Sequence, residues 1–343
     1  MTNSISSKVE FSIPHTVAEV DTTFLSRALR IRYPGTVVES AEFLGHIHGA
    51  SSKLRIQLTF NDSGHAYSLP ERVIVKAGFE QHSEGLEIMH RNEVHAYNHL
   101  VPTIPTNTPR CLFAGYDDRG RGMVILEDLT LKNVRFLSLQ EPIGFDLAKQ
   151  FLDELAGIHA AWWNSPMLDA EETIDWLLPS LGEHRRKTID RLLAPDSFDA
   201  FNAAPRGAAI PKALKDPGRI RQAFYQLNAY YAEMPNSISH GDMHLGNLFV
   251  DANGKPGLLD WQPRRAPWSN DVTYFLIAGL DVPDRRRWEQ ALLQHYLSRL
   301  ESRGVRAPGF DEAWIAHRRD VMWGFFIWFF NGFTYQSEAN NTA

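Results

Sequence analysis

The sequence predicts an α+β chain of two lobes, a small antiparallel β lobe with one helix followed by a larger, mainly α lobe. Three observations carry that expectation. Strand-like runs, alternating or continuously apolar, cluster before residue 129. Long amphipathic or apolar helical patterns fill most of the chain after it. One break interrupts the helical half, at residues 237–262, where two short apolar runs flank a tight turn. The expected boundaries are 1–129 for a nucleotide-binding lobe and 130–343 for a helical lobe, with a linker near 128–135.

Asp21 can cap a first helix in which Phe24, Leu25, Ala28 and Leu29 share a face, and Pro34-Gly35 stops it. Strands are expected at Val37–Leu44, Lys53–Phe60 and Arg72–Phe79, separated by turn-like Gly45–Gly49 and Asn61–Gly64, as an antiparallel meander. Glu84–Leu100 is helical in pattern, with Leu86, Met89, Val94, Tyr97 and Leu100 as its inner stripe, and Pro102 and Pro105 end it. Two further strands, Arg110–Tyr116 and Gly122–Leu129, are joined by the turn Asp117–Gly120. Helices are then expected at Glu141–Trp163, Glu171–Leu193, Lys212–Met234, Asp284–Arg303 and Asp311–Phe333. The apolar stretch Val321–Phe333 is too short to span a bilayer, which takes roughly 20 residues, and reads as a buried helix. In the break, Leu248–Val250 and Gly257–Leu259 flank the turn Asp251–Gly254 and lead to Asp260.

Composition narrows the function. The 343 residues carry 35 Lys+Arg against 41 Asp+Glu, a net charge of −6, so no cationic footprint favours nucleic acid or an anionic membrane. Cys111 is the single cysteine, which excludes a disulfide framework and fits a reducing, cytoplasmic setting; the expectation for it is buried packing. Met1–Glu10 is polar and lacks the apolar core of a secretory signal.

The chemistry lies in the break. Two short strands about a tight turn would bring Asp242, Asn247 and Asp260 together. One carboxylate offered to a substrate hydroxyl, with a second carboxylate and an amide oxygen offered to a hard cation, is equipment for phosphoryl transfer assisted by Mg²⁺. The five-residue separation of Asp242 and Asn247 matches D-x-x-x-x-N of the kinase catalytic loop H-R-D-x-x-x-x-N, with Gly241 in place of the Arg. Asp260 precedes Trp261 after a short strand, as the metal-binding Asp of D-F-G precedes Phe.

His240-Gly-Asp-Met-His-Leu-Gly-Asn247 matches every fixed position of H-G-D-x-H-x-x-N, the catalytic loop of the aminoglycoside phosphotransferase and choline kinase-like superfamily. Val124–Leu129, Asn92–Tyr97 and Leu259-Asp-Trp-Gln262 resemble its ecdysteroid kinase-like branch, where E-D-L, E-x-x-x-Y and D-F-Q recur. The resemblance runs from about residue 37 to about residue 335 and implies a two-lobed protein kinase-like fold. It also implies an ATP- and Mg²⁺-dependent O-phosphotransferase acting on a hydroxyl of a small molecule, with Asp242 catalytic and Asn247 and Asp260 on the metal.

Lys76, in Val73-Ile-Val-Lys76, looks like the phosphate-binding Lys of V-A-I-K, and Glu93 on the next helix is its expected ion-pair partner. The phosphate-covering loop falls at Gly45–Ser52, where backbone N–H groups near Ala50 and Ser51 and a hydroxyl of Ser51 or Ser52 could cradle phosphate; a plain hairpin fits the sequence equally well. Glu127, Asp128 and Leu129 fall where the resemblance puts the adenine-contacting hinge, although capping and solvation account for the two acids as readily. Asp271 is expected to hold the catalytic loop or to cap its own helix, and His240 to serve structural hydrogen bonding; the role of His244 stays open. The acceptor is expected to be neutral or hydrophobic, because Arg264, Arg265 and Arg285–Arg287 disfavour a cation and the last helix is rich in aromatic surface. A catalytically weak nucleotide-binding scaffold, a protein kinase, a hydrolase and an aminoglycoside-type phosphotransferase are the alternatives.

Overall fold

A computed structural model describes residues 6–49 and 51–330, so Ala50 and Phe333 lie outside the described residues. The chain divides into two compact units, one running to Thr103 and taking up Asn107–Val134, the other comprising Ile104–Thr106 and the chain from Arg135 on.

The first unit is built on a five-stranded antiparallel sheet. Helix α1 (Thr22–Leu29) begins at Asp21, whose carboxylate accepts from Phe24 N. Strand β1 (Val38–Ile47) pairs with β2 (Ser52–Phe60), and a short helix α2 (Asp62–Ala66) leads to β3 (Arg72–Ala77). Helix α3 (Glu87–His95) follows, then β4 (Cys111–Tyr116) and β5 (Gly122–Glu127), in the sheet order β1-β2-β3-β5-β4. Leu54, Ile56, Leu58, Val73, Val75, Phe113 and Ile125 from the sheet, with Leu25, Ala28 and Leu29 from α1, form one apolar core.

Three expectations shift here. Gly45 does not open a turn: the register shift between Phe43 and Gly45 absorbs it as a bulge and β1 runs on to Ile47. Asn61–Gly64 becomes the start of α2, because the Asn61 side chain caps it. Helix α3 starts three residues late, since Gly85 holds φ +87°, and ends at His95, where one π-helical turn (Ala96–Leu100) carries Tyr97 and Leu100 into the interior.

The second unit is mainly helical. A two-residue strand β6 (Arg135–Phe136) precedes α4 (Phe145–Ala161). The single helix expected at 171–193 is two, α5 (Glu171–Ile174) and α6 (Glu183–Leu192), because the chain around Pro179 bridges to Arg265 instead. Two helices absent from the sequence reading, α7 (Pro195–Ala203) and α8 (Pro205–Ala208), each open with Pro in the first turn. Helix α9 (Pro217–Tyr231), capped by Asp216, leads to β7 (Asn236–Ser239). Strand β8 (Leu248–Val250) pairs with β6 on one side and with β9 (Pro256–Leu258) on the other, and β10 (Arg264–Pro267) pairs with β7. Helices α10 (Trp268–Gly279), α11 (Val282–Glu301) and α12 (Phe310–Phe329) complete the unit.

Helices α10 and α12 are in close contact: a Cβ on Gly324 would lie 1.8 Å from Ile277 Cδ1. Burial of α12 is one-sided, in contrast to the expectation from its sequence. Trp323, Phe326 and Phe329 are buried, Phe325 and Trp328 are half-buried, and Val321 is exposed. Cys111 is likewise only half-buried, with its thiol pushed up to about 12 by desolvation. Among the described residues no helix is long and apolar enough to cross a membrane.

Candidate active site

The loop 240–247 is framed by the β7–β10 ladder on one side and the β8–β9 hairpin on the other. Gln262 N donates to His240 O at 2.9 Å, and Leu259 N donates to Asn247 O at 2.8 Å, so the chain on both sides of Asp260 is laced to the two ends of the loop. Gly241 is required at this crossing. Its φ is +86°, and a Cβ there would lie 1.9 Å from Gln262 O.

Asp271 does not cap its helix, since α10 begins three residues earlier, at Trp268. From the first turn its carboxylate accepts from the backbone N–H groups of His240 and Gly241, and His159 Nε2 lies 3.4 Å away on the other side. His240 is fully buried against Trp261, with ring centroids 4.6 Å apart. Its Nε2 donates to Leu259 O at 2.9 Å and its Nδ1 accepts from Asp242 N at 3.3 Å. Burial holds the ring's pKa below its ordinary value, as this neutral hydrogen-bonding pattern requires.

The Asp242 carboxylate is fixed at both oxygens. Tyr274 O–H donates to Oδ1 at 3.3 Å, and Asn247 Nδ2 donates to Oδ2 and to the Asp242 carbonyl, each at 3.0 Å. His244 Nε2 lies 3.5 Å from Oδ2, while its Nδ1 accepts from Gly246 N, which orients the ring. Burial works against the charge on Asp242, and nearby Asp260 adds repulsion. The charge and hydrogen bond of His244 outweigh both, and the carboxyl stays below the ordinary Asp range.

Asn247 donates twice from Nδ2 to Asp242, which leaves its Oδ1 as the amide atom that could hold a cation. Asp260 stands in the left-handed region at φ +58°, a conformation costly for a non-glycine residue and held here by the two flanking backbone bonds. An amide oxygen and a carboxylate near a second carboxylate are hard oxygen donors that fit Mg²⁺.

In the first unit, Lys76 lies on the central strand β3 and Glu93 on α3, both buried, with Nζ 2.6 Å from Oε2. Ser51 is buried beside the first residue of β2, Ser52, whose Oγ donates to Glu80 Oε1 at 2.6 Å. Glu127 accepts from Arg110 N at 2.9 Å and pairs with Lys132, while Asp128 caps the turn Leu129–Leu131 and pairs with Arg55 Nε at 3.0 Å. Leu129 is buried at the start of that turn.

Two residues at or near the loop, Tyr274 and Arg185, were not expected there, and Trp328 was expected only as one of the aromatics of the last helix. Tyr274 follows Asp271 by three positions, one helical turn, so once Asp271 faces the loop Tyr274 does too; that spacing was a readable signal. Trp328 packs its ring 5.9 Å from His244 and 6.4 Å from Tyr274. Arg185 lies over the rings of Trp323 and Phe326 and close enough to Arg264 for their charges to repel. Burial first, then that repulsion, brings Arg264 down to about 9.

The fold is similar to that of small-molecule phosphotransferases. The GDP complex of aminoglycoside 2'-phosphotransferase-IIIa superposes with a TM-score of 0.53 at 13% identity, covering 90% of this chain and 89% of that one. Choline kinase LicA from Streptococcus pneumoniae gives 0.50 at 16% identity, covering 89% and 91%. Macrolide 2'-phosphotransferase MphH from Brachybacterium faecium gives 0.50 at 13%, covering 89% and 90%. A search of curated proteins finds no match. The sequence model of the ecdysteroid kinase-like family matches residues 48–305, three quarters of the chain, and with the two-lobed kinase-like fold this places the protein in that family.

Proposed function

We propose that this chain transfers the γ-phosphate of ATP, with Mg²⁺, to a hydroxyl of a small neutral or hydrophobic molecule. The observation that carries the proposal is the Asp242 carboxylate, fixed at both oxygens and held ionised beside His244. In this reading Asp242 orients the acceptor hydroxyl and takes its proton as the new O–P bond forms, and ADP departs as the bond to the γ-phosphorus breaks. Asn247 Oδ1 and Asp260 would hold Mg²⁺, which supplies charge neutralisation on the phosphates. Lys76, kept in place by Glu93, meets the phosphates, and the backbone near Glu127 and Leu129 meets the base. Catalysis is then chiefly positioning and electrostatics.

Two features support the choice of acceptor. Trp328 stands against both side chains that flank Asp242, and Arg264 lies near enough to Asp242 to feel its charge, with Arg185 beside it. A polycation approaching Asp242 would meet two guanidinium groups, whereas an apolar alcohol would meet aromatic faces. Release of ADP across a panel of sterol-like, terpenoid and aryl alcohols, kanamycin-like compounds and choline tests the reading. Faster turnover with kanamycin-like compounds or choline than with every hydrophobic alcohol would overturn the acceptor class, and no ADP release with any hydroxyl compound would overturn the activity. A cytoplasmic location belongs to the same proposal, since ATP and a lone reduced thiol suit it.

A further inference from the structure

The first unit carries a side-chain cluster to which the reading above gives no role, at the connection expected to cover the phosphates. His46 and His48 lie two residues apart at the end of β1, where strand alternation turns both to one face, and their rings stack with centroids 4.0 Å apart. Glu80, in the segment after β3, reaches the same place: Oε1 is 2.7 Å from His48 Nδ1 and 3.6 Å from His46 Nε2. Among the described residues these three form a group whose ligand atoms all lie within 4.8 Å of one another. His46 Nε2 is buried without a hydrogen bond, and Ser52 Oγ donates to the same Glu80 oxygen, which fixes the carboxylate from behind.

We propose that His46 Nε2, His48 Nδ1 and Glu80 Oε1 form a binding site for a borderline divalent cation of the Zn²⁺ type. Two imidazoles and a carboxylate are the donor set of an open zinc site, with water at the fourth position, and imidazole ligands select Zn²⁺-like ions over Mg²⁺. Tetrahedral bonds of about 2.0–2.1 Å set ligand atoms roughly 3.4 Å apart, so closure takes only side-chain movement, chiefly of the exposed His48. The cation replaces the His48–Glu80 hydrogen bond, and His48 stays a neutral imidazole as its proton moves, by way of water, from Nδ1 to Nε2. Bound metal ties the end of β1 to the segment after β3 and thereby pins the connection into β2.

The test uses the full-length chain without a histidine tag, stripped by chelator and titrated with Zn²⁺ by calorimetry and with Co²⁺ by visible absorption. One equivalent with a tetrahedral Co²⁺ spectrum is expected, unmoved by excess Mg²⁺. H48A and E80Q should each weaken binding at least tenfold, since even losing a group that merely supports a ligand costs about 10–100-fold. His48 is largely exposed, so H48A folds as the parent does, and deuterium uptake over residues 46–53 should slow with Zn²⁺ in the parent but not in H48A. The chain has 14 histidines, so adventitious binding is a real rival. An equivalent of Zn²⁺ retained with equal affinity in H48A, or no stoichiometric binding by the parent, overturns the site.

Discussion

Lys76 and Glu93 form an ion pair whose members are each about 4% exposed or less, which makes its dissection a sharp experiment. Replacing one partner leaves the other as a buried charge, a change that costs about 3–5 kcal/mol. For a unit of this size that corresponds to a fall in Tm of about 10–20 °C. K76M and E93L should each show it. If the effects were independent, the double variant K76M/E93L would lose about 6–10 kcal/mol and would not fold. The double variant instead buries only apolar volume between β3 and α3, and should lie within about 2 kcal/mol of the parent. Its phosphotransfer should nevertheless be lost along with Lys76, and the nucleotide should bind more weakly. Urea unfolding of the four proteins, paired with calorimetric titration of Mg·ATP, reads both halves. Additive losses in stability would refute the buried-pair reasoning, and a double variant with parental Mg·ATP affinity would refute the assignment of Lys76 to the phosphates.

Four further outcomes are expected. D242N should lower turnover by about 10²–10⁴, the scale for removal of a general base, with nucleotide affinity near parental; more than about a tenth of the activity remaining would count against its role. H244A should move the acidic limb of the pH–rate profile upward, because the influence that holds Asp242 below the usual range is gone while burial still favours its protonated form; an unmoved limb would exclude His244. Asp320 is fully buried, and desolvation raises its pKa to about 7, so the folded state holds a proton that the unfolded state releases above its ordinary value near 3.8. Stability from this group is present at low pH and is lost as pH rises toward 7, so the Tm of the parent relative to D320N should decline between pH 4 and pH 7; a constant difference would contradict the shift. G241A should cost about 1–2 kcal/mol from left-handed strain alone, with further loss from the contact with Gln262 O, and should reduce turnover; parental Tm and rate together would show that the crossing is not rigid.

Legibility in the sequence followed the range of the interactions. Asp242 and Asn247 are five residues apart in one loop, so their spacing anticipated that they lie together, while the hydrogen bonds between them came only with the structure. Lys76 and Glu93 were readable because Val73–Lys76 resembles V-A-I-K and Glu93 stands four residues before Tyr97 on the next helix, and the two do form an ion pair. The five strands of the sheet announced themselves by pattern, and only their ends moved, where Gly45 became a bulge and Gly85 delayed a helix. Residues 171–208 resisted because local pattern there gives way to distant partners: Pro179 bridges to Arg265, and Phe198 and Phe201 find their aromatic partners on α12. Glu80 and the place of Trp328 at the loop were hidden for the same reason, since each matters through side chains more than 30 residues away in sequence.

The crossing of Gly241 and Gln262 bears on how such a loop can be governed. Protein kinases carry an arginine at this position of the loop, and new arginine–phosphothreonine pairs are among the contacts by which phosphorylation orders their activation segments. Here the carbonyl of Gln262 occupies the volume in which any side chain at 241 would begin. A single substitution therefore cannot restore the arginine without parting the backbone that sets Asp242. The loop is assembled by Asp271 and by its own main chain, with no handle at this point for a phosphate to grip. An enzyme built on it would stand ready as soon as it folds, and its output would follow the supply of acceptor and nucleotide.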